Sequence, residues 1–365
     1  MDLEHAAPLS LKRPIKSESL ENMTQYSFKN DYSEGAHARI IKALGDTNMI
    51  QEQGYGVDRF CNQAIHLIRN KIQNQNADIH FVSGGTQANL IVISSILRSF
   101  ESVIAANTGH IVVHEAGAIE STGHKINVVE TTDGKLCVQD IRSVLASHTD
   151  EHMVRPKMVF ISNSTELGGI YSKKELDDLY NFCRKNNLYL YLDGARLGAA
   201  LTSANNDLTI AELARRVDAF YIGGTKNGAL LGEAIVIIHG QLKNHFRFQL
   251  KQKGALLAKG RIFGVQFLEL FKEDLYFDLA RHANAMAARL ADGIQNQGYG
   301  FLAHPATNQI FPVFPNILIE RLRTKYGFYV WQKIDDAHSA IRLVTSWATK
   351  KIAVDSFLQD LRFFR

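Results

Sequence analysis

The sequence contains few cysteines and no long apolar run, and each of these shortages excludes a class of protein. Three cysteines, an odd number without C-x-x-C spacing, predict neither a disulfide framework nor a zinc site. No apolar run approaches the roughly 18 residues that a membrane helix requires. The opening residues, MDLEHAAPLSLKRPIK, lack the apolar segment of a secretory signal. These absences favour a cytoplasmic location without membrane contact.

A large excess of charge of one sign is also missing. The formal net charge is +4, and lysines and arginines are spread along the chain, so nucleic acid is not predicted as a partner. With 45% hydrophobic and 21% charged residues, the composition is that of a globular protein. The length of 365 residues suggests about two domains.

Two short apolar runs, residues 188–192 and 219–222, each end in a polar motif. The motif DGAR begins at Asp193 directly after the first run, and the motif GGTK, which follows the second run, ends at Lys226. Runs of this length suit strands that are buried on both faces. Because α/β sheets bind ligands at the carboxyl ends of parallel strands, we expect Asp193 and Lys226 to contact one ligand.

A lysine and a carboxylate in this arrangement point to pyridoxal phosphate (PLP). This cofactor needs a lysine for its aldehyde, a carboxylate for its ring nitrogen and backbone donors for its phosphate. Lys226 would form the internal Schiff base, and Asp193 would keep a proton on the ring nitrogen, so that the ring accepts electrons. The alternative is that Asp193 caps a turn and Lys226 is a solvated loop lysine. The occurrence of both motifs favours the cofactor.

A third motif offers donors for the phosphate. Residues 78–82 predict a strand, and the segment SGGTQAN then leads from Ser83 into an apolar helix over residues 90–97. A helix N-terminus presents free backbone N–H groups and the positive end of the helix dipole, which suit a phosphate. The glycines match neither the P-loop nor the GxGxxG pattern, so a plain turn between strand and helix is the alternative.

The order of the remaining elements predicts the fold class. Strands at 126–130 and 157–162 alternate with helices at 138–146 and 173–185. This alternation predicts an α/β fold with a large, mainly parallel sheet flanked by helices. Residues 233–239 predict a further, antiparallel strand after the lysine loop.

The pattern of predicted helices and strands changes near residue 280, and this change predicts a domain boundary. We expect a flexible tail at 1–24, a large α/β domain at 25–280 and a small α+β domain at 281–365. The small domain is predicted to contain strands at 308–314 and 340–345 and a final helix from about Val354.

The histidines that follow residue 109 are further candidates for chemistry. Residues 105–113 predict a strand-like stretch in which His110 follows Gly109, and His110 is predicted to stack on the cofactor ring. His114 and Glu115 do not complete an HExxH metal site, because the second histidine is replaced by Ala118. No metal is predicted, and His114 and His124 are interpreted as structural.

With these residues in place, the chain resembles the threonine aldolases, which are fold-type-I PLP-dependent enzymes of the beta-eliminating lyase group. The similarity covers nearly everything after the tail. The motifs that support it are Asn30-Asp31, Tyr55-Gly56, Gly85-Thr86 with Asn89, Gly109-His110-Ile111, Glu115 with Gly117, DGAR at 193–196, Thr225-Lys226 and IRLV at 341–344.

The resemblance implies a role for each predicted site residue. Lys226, His110 and Asp193 would be catalytic. The cofactor would be held by Lys226, Gly85, Thr86, His110, Asp193 and Arg196, and the substrate by Asn30, Tyr55, Arg196 and Arg342. A planar arginine fork suits the substrate carboxylate. The resemblance also implies a homo-oligomer, a dimer of dimers, with sites at the subunit interface, where Tyr55 and Arg261 would serve a neighbour.

Two positions depart from the family pattern. Many members have a serine where this chain has Asn30, which alters that contact with the carboxylate. Some members have a second histidine at the position of Ser164 in the segment Asn163-Ser164-Thr165-Glu166. The base role of that histidine therefore does not transfer, which leaves Glu166, His110 or an ordered water as candidates.

The resemblance implies cleavage of L-threonine, L-allo-threonine and related β-hydroxy-α-amino acids to glycine and an aldehyde. β-Elimination or transamination on the same fold is the alternative among enzymes. A catalytically silent binding protein that kept the PLP fold is the alternative from another class.

Overall fold

The computed structural model of the protein describes residues 25–364. The predicted tail, residues 1–24, lies outside the described residues. Across residues 25–364, no helix has the length and apolarity needed to cross a membrane.

The helices of the described chain mostly join consecutive strands or pack beside them. In chain order they are α1 Ala38–Thr47, α2 Arg59–Lys71, α3 Gly85–Ile96, α4 His110–Val113, α5 Val138–Ser147, α6 Lys173–Lys185, α7 Leu197–Leu201, α8 Ile210–Ala214, α9 Phe246–Gln252, α10 Arg261–Phe271, α11 Leu275–Gln295, α12 Asn316–Arg323 and α13 Lys351–Phe363.

The strands are short, and most of those in the central sheet are buried. In chain order they are β1 Tyr26–Ser27, β2 Asp78–Val82, β3 Glu101–Ala106, β4 Ile126–Val129, β5 Arg155–Ser162, β6 Tyr189–Asp193, β7 Ala219–Gly223, β8 Glu233–Ile237, β9 Gln309–Ile310, β10 Val313–Pro315, β11 Tyr326–Gly327, β12 Tyr329–Lys333 and β13 His338–Val344.

A seven-stranded sheet in the order β2-β8-β7-β6-β5-β3-β4 forms the centre of the fold. Five neighbouring strands, β7, β6, β5, β3 and β4, run parallel to one another. Strand β8 is antiparallel to both of its neighbours, β7 and β2. The mainly parallel α/β sheet and its antiparallel β8 confirm the predicted fold class. Helices cover both faces, because parallel strands are connected by crossovers that lie over the sheet.

The two strands that carry the polar motifs are direct neighbours. Leu192 of β6 is in register with Phe220 of β7, and both side chains are fully buried. On the other side of β6, Asp193 is in register with Ser162 at the end of β5. The register therefore brings the carboxyl ends of β5, β6 and β7 to one edge of the sheet.

A smaller sheet near the C-terminus is formed by β10, β13 and β12, with β9 also paired to β13. The strand β1 pairs in parallel with β11, so the first described residues lie beside the C-terminal part. Helix α11 runs through the predicted boundary, with Tyr276 in the core of the large sheet and Leu290 in the C-terminal core. The division at residue 280 stays a prediction.

Two predicted strands differ from the structure. The stretch predicted over 105–113 ends as a strand at Ala106, and His110–Val113 is a helical turn in which Val113 N bonds to Gly109 O. The strand predicted over 308–314 is split into β9 and β10 around Pro312. Proline has no N–H to donate to a ladder, and Val313 N bonds to Gly300 O instead.

Candidate active site

A cavity of about 730 Å³ opens at the carboxyl ends of the parallel strands. Its lining contains most of the residues predicted to hold cofactor and substrate, namely Gly85, Thr86, His110, Asp193, Arg196, Lys226 and Arg342. These residues are widely separated in the sequence. Arg342 comes from β13 of the smaller sheet, and the others lie at the ends of strands of the large sheet, where its topology predicts a ligand site.

Asp193 ends β6 and is held by three hydrogen-bond donors. Its carboxylate accepts from Tyr221 Oη at 2.6 Å, Asn89 Nδ2 at 3.0 Å and Ala195 N at 3.0 Å. Asp193 and Tyr221 are both buried. The carboxylate is thus fixed in one orientation at the cavity, as a partner for a protonated ring nitrogen must be.

A second carboxylate, Glu115, extends this network to His110. Asn89 Nδ2 donates to Glu115 Oε1 at 2.8 Å, and His110 Nδ1 lies 2.7 Å from the same oxygen. Because an ionised carboxylate only accepts hydrogen bonds, His110 carries its proton on Nδ1. The Tyr191 hydroxyl donates to Asn89 Oδ1 at 3.0 Å, which closes the network. The sequence marked Asn89 and Glu115 as part of motifs but predicted no role for them.

Lys226 follows β7 in a loop that lies close to the DGAR loop. A Cβ at Gly223 would come within 2.3 Å of Ala195 O, so only glycine permits this approach of the two loops. Burial lowers the pKa of Lys226, and the nearby charge of Arg196 lowers it further. A lower pKa increases the fraction of neutral amine, which is the form that attacks an aldehyde.

Helix α3 directs its N-terminus at the cavity. Gly84 precedes the helix without a side-chain cap, and the first N–H groups of an α-helix have no partner within the helix. A Cβ at Gly85 would lie 2.9 Å from Tyr221 Oη, so glycine preserves the contact between this tyrosine and Asp193. The segment therefore matches the predicted phosphate site.

The two arginines of the cavity differ in their partners. Arg196 binds Asp31 through Nε at 2.7 Å and Nη2 at 3.0 Å. Burial opposes ionisation of Asp31, but the charges of Arg196 and Lys226 outweigh it and lower the Asp31 pKa. One edge of the Arg196 fork is thus already occupied by a buried carboxylate, which the sequence analysis named as part of a motif but gave no role.

Arg342, on β13, makes weaker contacts. Its Nη2 donates to Lys29 O at 3.3 Å, and its guanidinium lies over the rings of Trp331, at 5.1 Å, and Tyr329, at 5.5 Å. Its Nε is buried and has no hydrogen-bond partner among residues 25–364. Burial, and secondarily the charge of Arg196, lowers the pKa of Arg342. An unpaired buried donor of this kind is suited to a ligand carboxylate.

Two candidate bases line the cavity besides His110. Glu166 accepts hydrogen bonds from His110 N at 3.0 Å and Ser162 Oγ at 2.9 Å. Burial, with the charge of Asp193, raises the pKa of Glu166 to about 7. His114, interpreted from the sequence as structural, also lines the cavity. His124 is buried, with Nδ1 3.2 Å from Glu101 O.

Three residues of the predicted site lie elsewhere in the single chain. The Asn30 side chain accepts from Tyr32 N at 3.0 Å and from Ser33 Oγ at 2.8 Å, outside the cavity lining. Tyr55 is 46% exposed, with Lys251 Nζ 4.8 Å from its ring centroid. Arg261 donates to the carbonyls of Thr47 and Ile50. The roles of Asn30, Tyr55 and Arg261 stay predictions.

The donor set of the cavity fits PLP. It combines an amine that can take the aldehyde, a fixed carboxylate for the ring nitrogen and a helix N-terminus for the phosphate. Within residues 25–364, no group of three His, Cys, Asp or Glu side chains is placed to hold a metal ion.

Comparisons with known proteins agree with this geometry. The family model described as "Beta-eliminating lyase" matches residues 33–315. The chain is 30% identical over 341 residues to a low specificity L-threonine aldolase of Pseudomonas sp. (strain NCIMB 10558), covering 92% of this chain and 96% of that protein.

Solved structures show the same fold. A threonine aldolase of Leishmania major is 47% identical with a TM-score of 0.92, over 93% of this chain and 100% of that one. A serine palmitoyltransferase of S. paucimobilis, solved with bound PLP, shares the fold at 14% identity and a TM-score of 0.66, over 93% and 86% of the chains. The chain therefore belongs to the beta-eliminating lyase family, as a member of its threonine aldolase group.

Proposed function

We propose that this chain uses PLP to cleave L-threonine, L-allo-threonine and related β-hydroxy-α-amino acids into glycine and an aldehyde. The observation that carries the proposal is the meeting of Lys226, Asp193 and the unpaired Nε of Arg342 at one cavity. An amino acid bound there has its amine and its carboxylate matched by different groups of the chain. The relatives named threonine aldolase support this choice of substrate.

Four parts of the chain would hold the cofactor. Lys226 would bind the aldehyde, Asp193 would hold a proton on the ring nitrogen, and the first amides of α3, at Gly85 and Thr86, would bind the phosphate. His110, fixed through Glu115, would pack against the ring. When bound, PLP supplies an electron sink for the electron pair of the breaking Cα–Cβ bond.

The arginines would set the orientation of the substrate. Arg342 Nε has no partner among residues 25–364 and can donate to the carboxylate, while Arg196 can offer the edge of its guanidinium that Asp31 does not occupy. Two-point binding of the carboxylate limits rotation about the bond to the α-carbon. Such positioning selects which bond of the α-carbon is cleaved.

The assembly we propose is a homo-oligomer, a dimer of dimers in the cytoplasm. Its support is a set of exposed apolar side chains: Met49, Ile50 and Val57 are close to Tyr55 in the sequence, and Leu257 lines a pocket together with Tyr55. Exposed apolar groups favour burial against a second copy. In that arrangement Tyr55 and Arg261 would approach the neighbour's cavity, and Asn30 would contact substrate after a local rearrangement.

Product analysis with L-threonine tests the proposed activity. The expected result is glycine and acetaldehyde in equal amounts, with release dependent on PLP. Formation of 2-oxobutanoate and ammonia would support β-elimination instead, and amino-group transfer to an added 2-oxo acid would support transamination. Binding of glycine without release of any aldehyde would identify a silent binding protein.

A further inference from the structure

His114 occupies a position in the cavity that the mechanism above does not use. It directly follows α4, and its ring centroid lies 5.5 Å from that of His110. The cavity that it lines also contains Lys226 and Arg342, the groups assigned to the two ends of an amino acid. The imidazole is thus within the chamber where the substrate's β-carbon must lie.

The His114 ring differs from the other two candidate bases in its freedom. His110 has Nδ1 bound to Glu115 and is assigned to pack against the cofactor ring, and Glu166 accepts hydrogen bonds from His110 N and Ser162 Oγ. Within residues 25–364, His114 forms a hydrogen bond through its backbone N to His110 O at 2.9 Å and none through its imidazole. An uncommitted, cavity-lining imidazole can form a new hydrogen bond without breaking an existing one.

Positive groups surround this imidazole. Burial lowers the pKa of His114, and the charges of His110 on α4 and Arg342 on β13 lower it further, as does Lys226 after β7 while its amine is not bound to the cofactor. The lowered pKa favours the neutral ring, which has a lone pair available. A neutral imidazole is the form that accepts a proton in general base catalysis.

We infer that His114 is the base that removes the β-hydroxyl proton of the substrate. This chain has Ser164 at the position where some family members have a second histidine, and His114 takes the role of that base. The inference rests on the proposed aldolase function. The hydroxyl proton passes to an imidazole nitrogen, and the electrons of the O–H bond form the C=O bond of the aldehyde. The Cα–Cβ bond breaks, and its electron pair stays at the α-carbon until a proton returns there to give glycine.

The substrate itself would make His114 a stronger base. A carboxylate bound to Arg342 offsets the positive charge that depresses the His114 pKa, so this pKa is higher in the complex than in the free enzyme. The profile of kcat/KM reports the free enzyme and that of kcat reports the complex. Because catalysis needs the neutral base, we expect the acid limb of kcat to lie at higher pH than the acid limb of kcat/KM.

The substitution His114→Gln tests the inference, with His152→Gln as the matched control. His152 is exposed and precedes β5, at the edge of the sheet opposite the cavity. We expect His114→Gln to lower kcat for L-threonine by about 100-fold or more, which is the usual contribution of a general base. Glycine has no β-hydroxyl, so the affinity for glycine, measured from the cofactor absorbance, should be unchanged. The control should match wild type in both measurements.

Chemical rescue distinguishes a lost base from a lost structural contact. Added imidazole should restore part of the activity of His114→Ala but should not change His152→Gln. Retention of the wild-type kcat in His114→Gln would overturn the inference, and so would a matching loss of glycine affinity. Release of glycine and acetaldehyde by wild type tests the proposed function separately, so the function can stand while the assignment of His114 fails.

Discussion

Two sides of the cavity differ in how completely their polar groups are paired. We call the buried network below the cavity the floor, and the aromatic and basic side chains from the C-terminal sheet the wall. The floor comprises Asn89, Asp193 and Tyr221, and the wall comprises Tyr329, Trp331 and Arg342. Asp193 on the floor has three donors, whereas Nε of Arg342 on the wall has no partner among residues 25–364.

The difference in hydrogen bonding indicates which side of the cavity serves the cofactor and which serves the substrate. A group that must hold one charge state throughout a reaction is best fixed in advance by neighbouring dipoles. A group that binds and releases a ligand in each cycle needs hydrogen-bond donors that have no protein partner while the ligand is absent. The paired floor therefore suits the cofactor, and the unpaired wall suits the substrate carboxylate. Variants on the two sides should affect different steps.

The largest effect is expected at the lysine between the two sides. Lys226→Ala removes the amine for the cofactor aldehyde, so aldehyde release from L-threonine should fall to the detection limit. Lys174→Ala, an exposed lysine on α6 that pairs with Asp178, is the matched control and should retain activity. Substantial turnover by Lys226→Ala would show that another group performs this role.

The next largest effect is expected on the floor. Asp193→Asn replaces the carboxylate by a neutral amide, which cannot stabilise a proton on the ring nitrogen. Loss of such an electrostatic contribution should lower kcat by about 100- to 1000-fold. The variant should still bind PLP, which absorbance after gel filtration can measure. Turnover close to wild type would mean that Asp193 is not the partner of the ring.

A substitution on the wall should affect binding of the substrate instead. Arg342→Lys keeps the charge but removes the fork, and a charge-assisted hydrogen bond contributes about 1.5–3 kcal/mol, so KM should rise about 10-fold or more. Cofactor absorbance should not change. The surface variant Arg323→Lys, on α12 beside Glu320, controls for the exchange itself. If Arg342→Lys binds glycine and L-threonine like wild type, the wall does not anchor the carboxylate.

The smallest effect is expected from removing one hydrogen-bond donor on the floor while keeping the carboxylate of Asp193. Tyr221→Phe deletes one of three donors to Asp193, and Asn89 and Ala195 N remain. A hydrogen bond to a charged group contributes about 1.5–3 kcal/mol, and because two donors remain we expect the lower end of that range, a fall in kcat of about 10-fold. Tyr276→Phe makes the same change at a buried tyrosine outside the cavity lining and should leave kcat unaltered. An equal loss in both variants would indicate general destabilisation.

Much of the floor's scaffold could be predicted from the sequence because it is local. Strand β2 and helix α6 have the predicted bounds, and β6 and β7 differ from their predicted bounds by one residue. Short apolar runs and helical spacing report on neighbouring residues, which is the range over which periodicity carries information. The polar residues that end the strands then follow from the parallel topology.

The contacts of the wall and of the second carboxylates could not be predicted in the same way. Asp31 and Arg196 are separated by 165 residues, and Asn89 and Asp193 by 104. No periodic pattern relates residues so far apart. The type of a polar residue also does not reveal which distant residue its side chain will contact. His114 was interpreted as structural because the sequence alone does not reveal which histidines reach the cavity.

The most direct test of the account is to locate the lysine that holds the cofactor. Borohydride reduction of the PLP-loaded protein, followed by peptide mapping, attaches a stable pyridoxyl group to that lysine. We expect a single labelled peptide that contains Lys226, the lysine between the floor and the wall of the cavity. A label on any other lysine, or no label after reduction of a protein that carries PLP, would contradict it.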